Sequence, residues 1–383
     1  MKKLLLVILL SSNVNAANTS NNDPLYYIDG LNYFDDLQMQ DVYNNYNSVI
    51  NTNAKVLVLD NGYQVNHEDA GHTNSSLISQ AEQHGTLVAG LIYAKIGNEK
   101  GYRGLVAPTV ADFKKYADGC KSLTKRSKGR ALCKKNALHE QIQGFDIINL
   151  SQHLSEWSYQ SYRLQSSDPS YSEYQSNWFP THLEHMKLFR DVMNDNSNKL
   201  FILAAGNNSI PALYENGAIH VDNYRMNQLS NVIVVGAYNG SSGNEYLKYD
   251  YGSGIDLIAR TGISGPTYTK NSTGGYSLNN SENGTSFSAP QVTGVAAMMF
   301  DVCSKMQGYS ISSIKSSMEN ANFDTLTKTH GSKTYNYKIL NAYKAVKKAH
   351  DICNWFILYK TKKIFSKYWR SFSYQITKKT ALN

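Results

Sequence analysis

Long apolar runs are what this 383-residue chain lacks. Its most apolar stretch, Leu4–Leu10, falls well short of the roughly 20 residues that a bilayer-spanning helix needs. Lys2 and Lys3 precede it and the small residues Val14 and Ala16 follow, which is the layout of a signal peptide cleaved after Ala16 rather than of an anchor. Cysteine is scarce too: Cys120, Cys133, Cys303 and Cys353 are the only four, and none stands in the paired C-x-x-C spacing of a zinc site. An even number of cysteines in an exported chain suits disulfides. Three pairings are open, and Cys120–Cys133 with Cys303–Cys353 is favoured because the first closes a short loop and the second ties the root of the tail to the core.

Acid is missing from residues 354–383, which carry seven bases, and this accounts for most of the net charge of +8. With the signal and the tail set aside, residues 17–353 hold 29 bases against 30 acids, so nucleic acid is not an expected partner of the body. The tail itself interleaves its bases with Trp355, Phe356, Tyr359, Phe365, Tyr368, Trp369 and Phe372, a pattern that fits contact with an anionic membrane as well as a frayed extension. The chain thus divides into a signal (1–16), one large domain (17–353) and a basic aromatic tail (354–383).

Within the domain, apolar β-rich runs recur at Lys55–Asp60, Asp146–Ser151, Leu200–Gly206 and Asn231–Gly236. Runs of this kind belong to strands covered on both faces. Between them lie helical patterns, from His84 to Ile96 and from about Ser286 to Met306. Strands alternating with helices predict an α/β fold, a doubly wound and mainly parallel sheet flanked by helices. Catalytic groups in such sheets gather at the carboxyl ends of the strands, where Asp60, Ser151 and Asn207 fall. Two segments, 118–138 and 153–180, interrupt the pattern and read as surface loops.

Three short segments carry candidate chemistry: Val58-Leu-Asp60-Asn-Gly62, His84-Gly-Thr-Leu-Val-Ala-Gly90 and Asn283-Gly-Thr-Ser286-Phe-Ser-Ala-Pro290. Singly, each has a plain structural reading as a turn or a helix start. Jointly, in the order Asp, His, Ser, they resemble the subtilisin-like serine protease family. Gly104–Pro108, Asp146–Ser151, Ala204–Asn207 and Leu340–Ala342 extend the resemblance over roughly residues 23 to 350.

The resemblance implies a secreted serine endopeptidase acting on polypeptide substrates, with Asp60, His84 and Ser286 as the triad and Asn207 as the side-chain donor to the oxyanion. It also implies substrate contacts at Ser151, Gln152, Ala204, Ala205 and Gly206. No cofactor is required, but Asp69 matches an aspartate that binds calcium in some members, so calcium at Asp69 is a candidate metal site. Several positions depart from the pattern. Ser151-Gln152-His153 stands where the family has Ser-Leu-Gly, putting a side chain where substrate backbone approaches, and Arg260 replaces a proline. Asp60 comes only 44 positions after Ala16, and the residues between are needed for the N-terminal arm, so a separate folding propeptide is expected to be absent. The rival reading is a catalytically inactive binding or regulatory module on the same fold; an esterase is disfavoured because no Gly-x-Ser-x-Gly surrounds Ser286.

Overall fold

The apolar runs become the middle of a parallel sheet. In the computed structural model, strands Val56–Asp60 (β1), Ala111–Lys115 (β2), Ile147–Leu150 (β3), Leu200–Ala204 (β4), Val232–Asn239 (β5) and Leu257–Thr261 (β6) are ordered β2-β1-β3-β4-β5-β6. Every neighbouring pair is parallel. The structure describes residues 33–46, 50, 54–63, 83–96, 103–106, 111–116, 118–120, 122–123, 128–151, 179–207, 226–239, 251–261, 268–270, 276–278, 283–304, 310–330, 332–355, 359 and 362.

Because successive strand side chains point to opposite faces, the sheet divides the core in two. Val56, Val58, Ile147, Ile202 and Val235 face helices Tyr33–Asp36 (α1), Met39–Tyr46 (α2), Gln83–Tyr93 (α3), Thr285–Ser304 (α6), Ile311–Glu319 (α7) and 342–355 (α8). Leu57, Leu59, Ile148, Phe201 and Val234 face Lys128–Gln141 (α4) and Phe179–Asp195 (α5). Two small antiparallel pairs, Tyr268–Lys270 (β7) with Tyr276–Leu278 (β8) and Thr325–His330 (β9) with Lys333–Lys338 (β10), lie outside the sheet. Among the described residues no helix is long and apolar enough to cross a membrane.

The expectation of a surface loop over 118–138 is corrected, because α4 begins at Lys128. Its Ala, Leu, Lys and Gln residues are good helix formers, and Ala131 and Leu138, seven apart, are both buried. The segment 153–178 lies outside the described residues. Both disulfides form as favoured, Cys120–Cys133 and Cys303–Cys353, and the second joins the end of α6 to α8. Helix α3 stops earlier than its pattern predicts, because the segment 104–106 takes over its last carbonyls. Backbone N–H groups of Gly104, Leu105 and Val106 donate to Ala94, Leu91 and Ile92 at 3.2, 3.2 and 2.9 Å.

The N-terminal arm is built into the core through Phe34, Leu37, Met39 and Val42. Leu37 O accepts from the N–H groups of Ala342 and Tyr343 at the start of α8, at 3.0 and 3.3 Å. Asp36 pairs with Arg260, so the arginine that replaces the expected proline ties α1 to β6.

The amino end of β5 is held by polar groups. Asn231 Nδ2 donates to Met193 O, Asn196 O and Lys199 O, and the buried Lys315 donates to Asn227 O, Leu229 O and Val232 O. Lys315 also lies 3.5 Å from Asp256, whose other oxygen accepts from Val234 N–H. Burial pushes the Asp256 carboxyl from its ordinary 3.8 up to about 7, against the opposing pull of Lys315 and of the Val234 N–H. A folded carboxyl that keeps its proton while the unfolded chain has lost it contributes stability that is whole below the unfolded value, and lost as pH rises through the folded one. The window is therefore about pH 4 to about pH 7. Urea-unfolding midpoints should fall across this window, and Asp256→Asn should flatten the fall. The same slope in both proteins would assign the dependence elsewhere.

Candidate active site

The sheet order reverses direction between β1 and β3, and the crevice that opens there at the carboxyl ends is the usual ligand position of such a fold. Asp60 is the last residue of β1 and is fully buried. One carboxylate oxygen accepts from Asn61 N–H at 2.7 Å, and both lie 3.0 Å from His84 Nδ1. With Nδ1–H donating to a carboxylate, Nε2 is left as the basic nitrogen. His84 is the second residue of α3, its side chain 42% exposed. Gly85 allows this placement: a Cβ there would lie 2.1 Å from Gly62 O in the turn after β1. The His84 ring also sits 5.6 Å from that of Phe287, in the first turn of α6.

Ser286 stands in that same turn. It exchanges two hydrogen bonds with Ser151, just beyond β3. Ser286 Oγ donates to Ser151 O, and Ser151 Oγ to Ser286 O, each at 2.9 Å. Asn149 Nδ2 donates to Ser151 Oγ, and Thr293 Oγ1 donates to Asn149 Oδ1, so α6 is bonded through buried polar groups to β3. A hydroxyl has one proton. Here that proton is given to Ser151 O.

Asn207 follows β4. Its Oδ1 accepts from Thr285 N–H at 2.8 Å and from Thr285 Oγ1 at 3.0 Å, which assigns the amide orientation and leaves Nδ2 as the outward donor. Thr285 Oγ1 also accepts from Gly206 N–H, while Thr261 Oγ1 accepts from Gly284 N–H at 2.7 Å. Ser288 and Gln291 bond Arg260 O, adding β6 to the strands that hold α6.

Of the residues singled out from sequence, Asp60 and His84 share a hydrogen bond, Ser286 shares two with Ser151, and Asn207 and Gly206 meet through Thr285. Ala204 ends β4, and the buried Ala205 donates its N–H to Val235 O. Gln152 and Asp69 lie outside the described residues. Sequence reasoning missed Thr285, Thr261, Asn149 and Thr293. Thr285 lies within Asn283-Gly-Thr-Ser286, but nothing local connects its hydroxyl to Asn207; the other three give no local signal.

Position 284 offers a direct test of this packing. Gly284 has φ +146°, and a Cβ there would lie 3.1 Å from Asn207 Nδ2. Gly284→Ala is expected to displace Asn207 and lower hydrolytic turnover at least about tenfold while circular dichroism stays native-like. Unchanged turnover would mean that the Asn207 position does not matter.

A family model described as "Subtilase family" matches residues 29–340. Among solved structures, a protease from Pseudoalteromonas arctica is 18% identical with a TM-score of 0.50, over 86% of this chain and 99% of its own. A lanthipeptide protease is 21% identical with a TM-score of 0.51, over 85% and 97%. The prenylagaramide maturation protease is 21% identical with a TM-score of 0.50, over 81% and 98%. At these identities the likeness is one of fold. No curated protein matches the chain by sequence.

Proposed function

Because this chain belongs to the subtilase family and is a serine-type peptidase, we propose that it is a secreted endopeptidase working through an Asp60–His84–Ser286 triad and an acyl-enzyme. The observation that carries this reading is the contact of His84 Nδ1 with the fully buried Asp60 carboxylate. In this scheme Ser286 Oγ attacks the peptide carbonyl carbon as its proton passes to His84 Nε2. Asp60 holds the imidazole tautomer and stabilises the imidazolium. The oxyanion takes hydrogen bonds from Asn207 Nδ2 and from Ser286 N–H, which lies in a first helical turn where the helix supplies no acceptor. His84 then returns the proton to the leaving amine, and water, deprotonated by His84, hydrolyses the ester.

The two disulfides fit an oxidising destination. The second reading is a noncatalytic module. What favours it is the Ser286 hydroxyl, which is bonded to Ser151 O.

A fluorophosphonate probe should label the parent protein and not Ser286→Ala, and casein should be cleaved by the parent alone. Folded parent that neither labels nor cleaves would establish the noncatalytic module. Asn207→Ala should lower kcat by about 10²–10³, the effect of losing one oxyanion donor, with a smaller change in KM. A change confined to KM would remove Asn207 from that role.

A further inference from the structure

Within an α-helix each carbonyl accepts from the N–H four residues further on. Ser286 O is denied that bond, because the residue four positions on is Pro290, which lies inside α6 and has no N–H. A buried carbonyl without a donor is costly. The carbonyl of Ser286 is instead completed from outside the helix, by Ser151 Oγ at 2.9 Å, and both residues are buried.

Two further residues decide where the Ser151 proton goes. Thr293 Oγ1 donates to Asn149 Oδ1 at 2.9 Å, and Asn149 Nδ2 donates to Ser151 Oγ, also at 2.9 Å. The bonds run in one direction, from Thr293 through Asn149 and Ser151 to Ser286 O. Thr293 sets that direction. Its hydroxyl has one proton and lies 3.1 Å from a second acceptor, Ala289 O. With the proton on Ala289 O, the Asn149 amide would turn over to donate to Thr293, and its oxygen would take the Ser151 proton away from Ser286 O. Asn149 and Thr293 are fully buried, so neither touches a bound chain.

We infer that Thr293 and Asn149 are positioning residues for peptide hydrolysis: acting through Ser151, they fix the carbonyl of Ser286 and with it the direction in which Oγ leaves the backbone. The inference rests on the protease reading of Ser286. It gives the Ser151 hydroxyl a part in the reaction separate from any substrate contact. A serine whose backbone tilts presents its oxygen at the wrong angle, and such a loss of orientation falls on turnover more than on substrate binding. Pro290 and the relay form one arrangement. The proline removes the donor that would bind the Ser286 carbonyl into the helix, and the relay binds that carbonyl to the end of β3.

Thr293→Val keeps the shape of the side chain and removes its proton. It should lower kcat about tenfold with KM near the parental value, and slow labelling by a fluorophosphonate probe to the same degree. Thr293→Ser, which keeps the hydroxyl, should restore both. Pro290→Ala gives Ser286 O a helical donor, so in that background Thr293→Val should lower kcat by no more than about twofold. Should the buried valine prevent folding, Ser151→Ala carries the same comparison. A relay that only holds the fold would lower the urea midpoint of Thr293→Val and leave kcat and labelling at their parental values, which overturns the proposal alone. A tenfold loss that persists in the Pro290→Ala background also overturns it, since the relay would then act elsewhere than on the Ser286 carbonyl. Parent protein that neither labels nor cleaves casein overturns the protease reading, and the positioning role with it.

Discussion

The first turn of α6 is hydrogen-bonded to the ends of three separate strands, and the candidate site depends on that attachment. Ser286 and Ser151 exchange bonds across to β3, Thr285 bonds Gly206 and Asn207 beyond β4, and Thr261, Ser288 and Gln291 join the helix start to β6. These are neutral and, Asn207 apart, buried side chains whose bonds, except at Gln291 Oε1, are satisfied by backbone or by another of the set. Buried polar groups are costly when unmatched, so such a network admits one placement of the helix and penalises slippage. Asp60 and His84 are set on the other side of the crevice by β1 and by the close approach of Gly85 to Gly62. Ser286 and His84 are thus positioned by different helices, which meet where the Phe287 ring lies 5.6 Å from that of His84.

At the opposite end, the attachments are of another kind. Lys315 collects carbonyls around the start of β5, Asn231 those between the end of α5 and β4, and Cys303–Cys353 fastens the last turn of α6 to α8. One 20-residue helix therefore runs from Ser286 to the covalent tie at Cys303, roughly 26 Å away at 1.5 Å per residue. Neutral hydroxyls at one end and a disulfide at the other leave little freedom for the rod between.

Much of this was legible in the sequence. Strands β1, β3, β4 and β5 announce themselves as apolar runs because both of their faces are covered, and the positions of Asp60, His84 and Ser286 follow from motifs tied to strand ends and helix starts. Strand β2 was not, since an edge strand such as Ala111-Asp-Phe-Lys-Lys115 buries little and shows no apolar run. Helix α4 was hidden for a related reason: its many lysines read as a loop, while only Ala131 and Leu138 report its buried side. The Thr261–Gly284 and Asn149–Thr293 bonds could not be assigned because they join residues 23 and 144 apart, and nothing in a hydroxyl or an amide states which one it will meet.

The arm at the front bears on when the molecule can be finished. Leu37 O waits for the amides of residues 342 and 343, and Asp36 for Arg260. A ribosome that has synthesised the sheet and Ser286 still holds a chain whose arm lacks its partners at the start of α8. Native closure therefore waits on residues made late in synthesis, and contacts of such long sequence separation make that last step slow relative to helix formation.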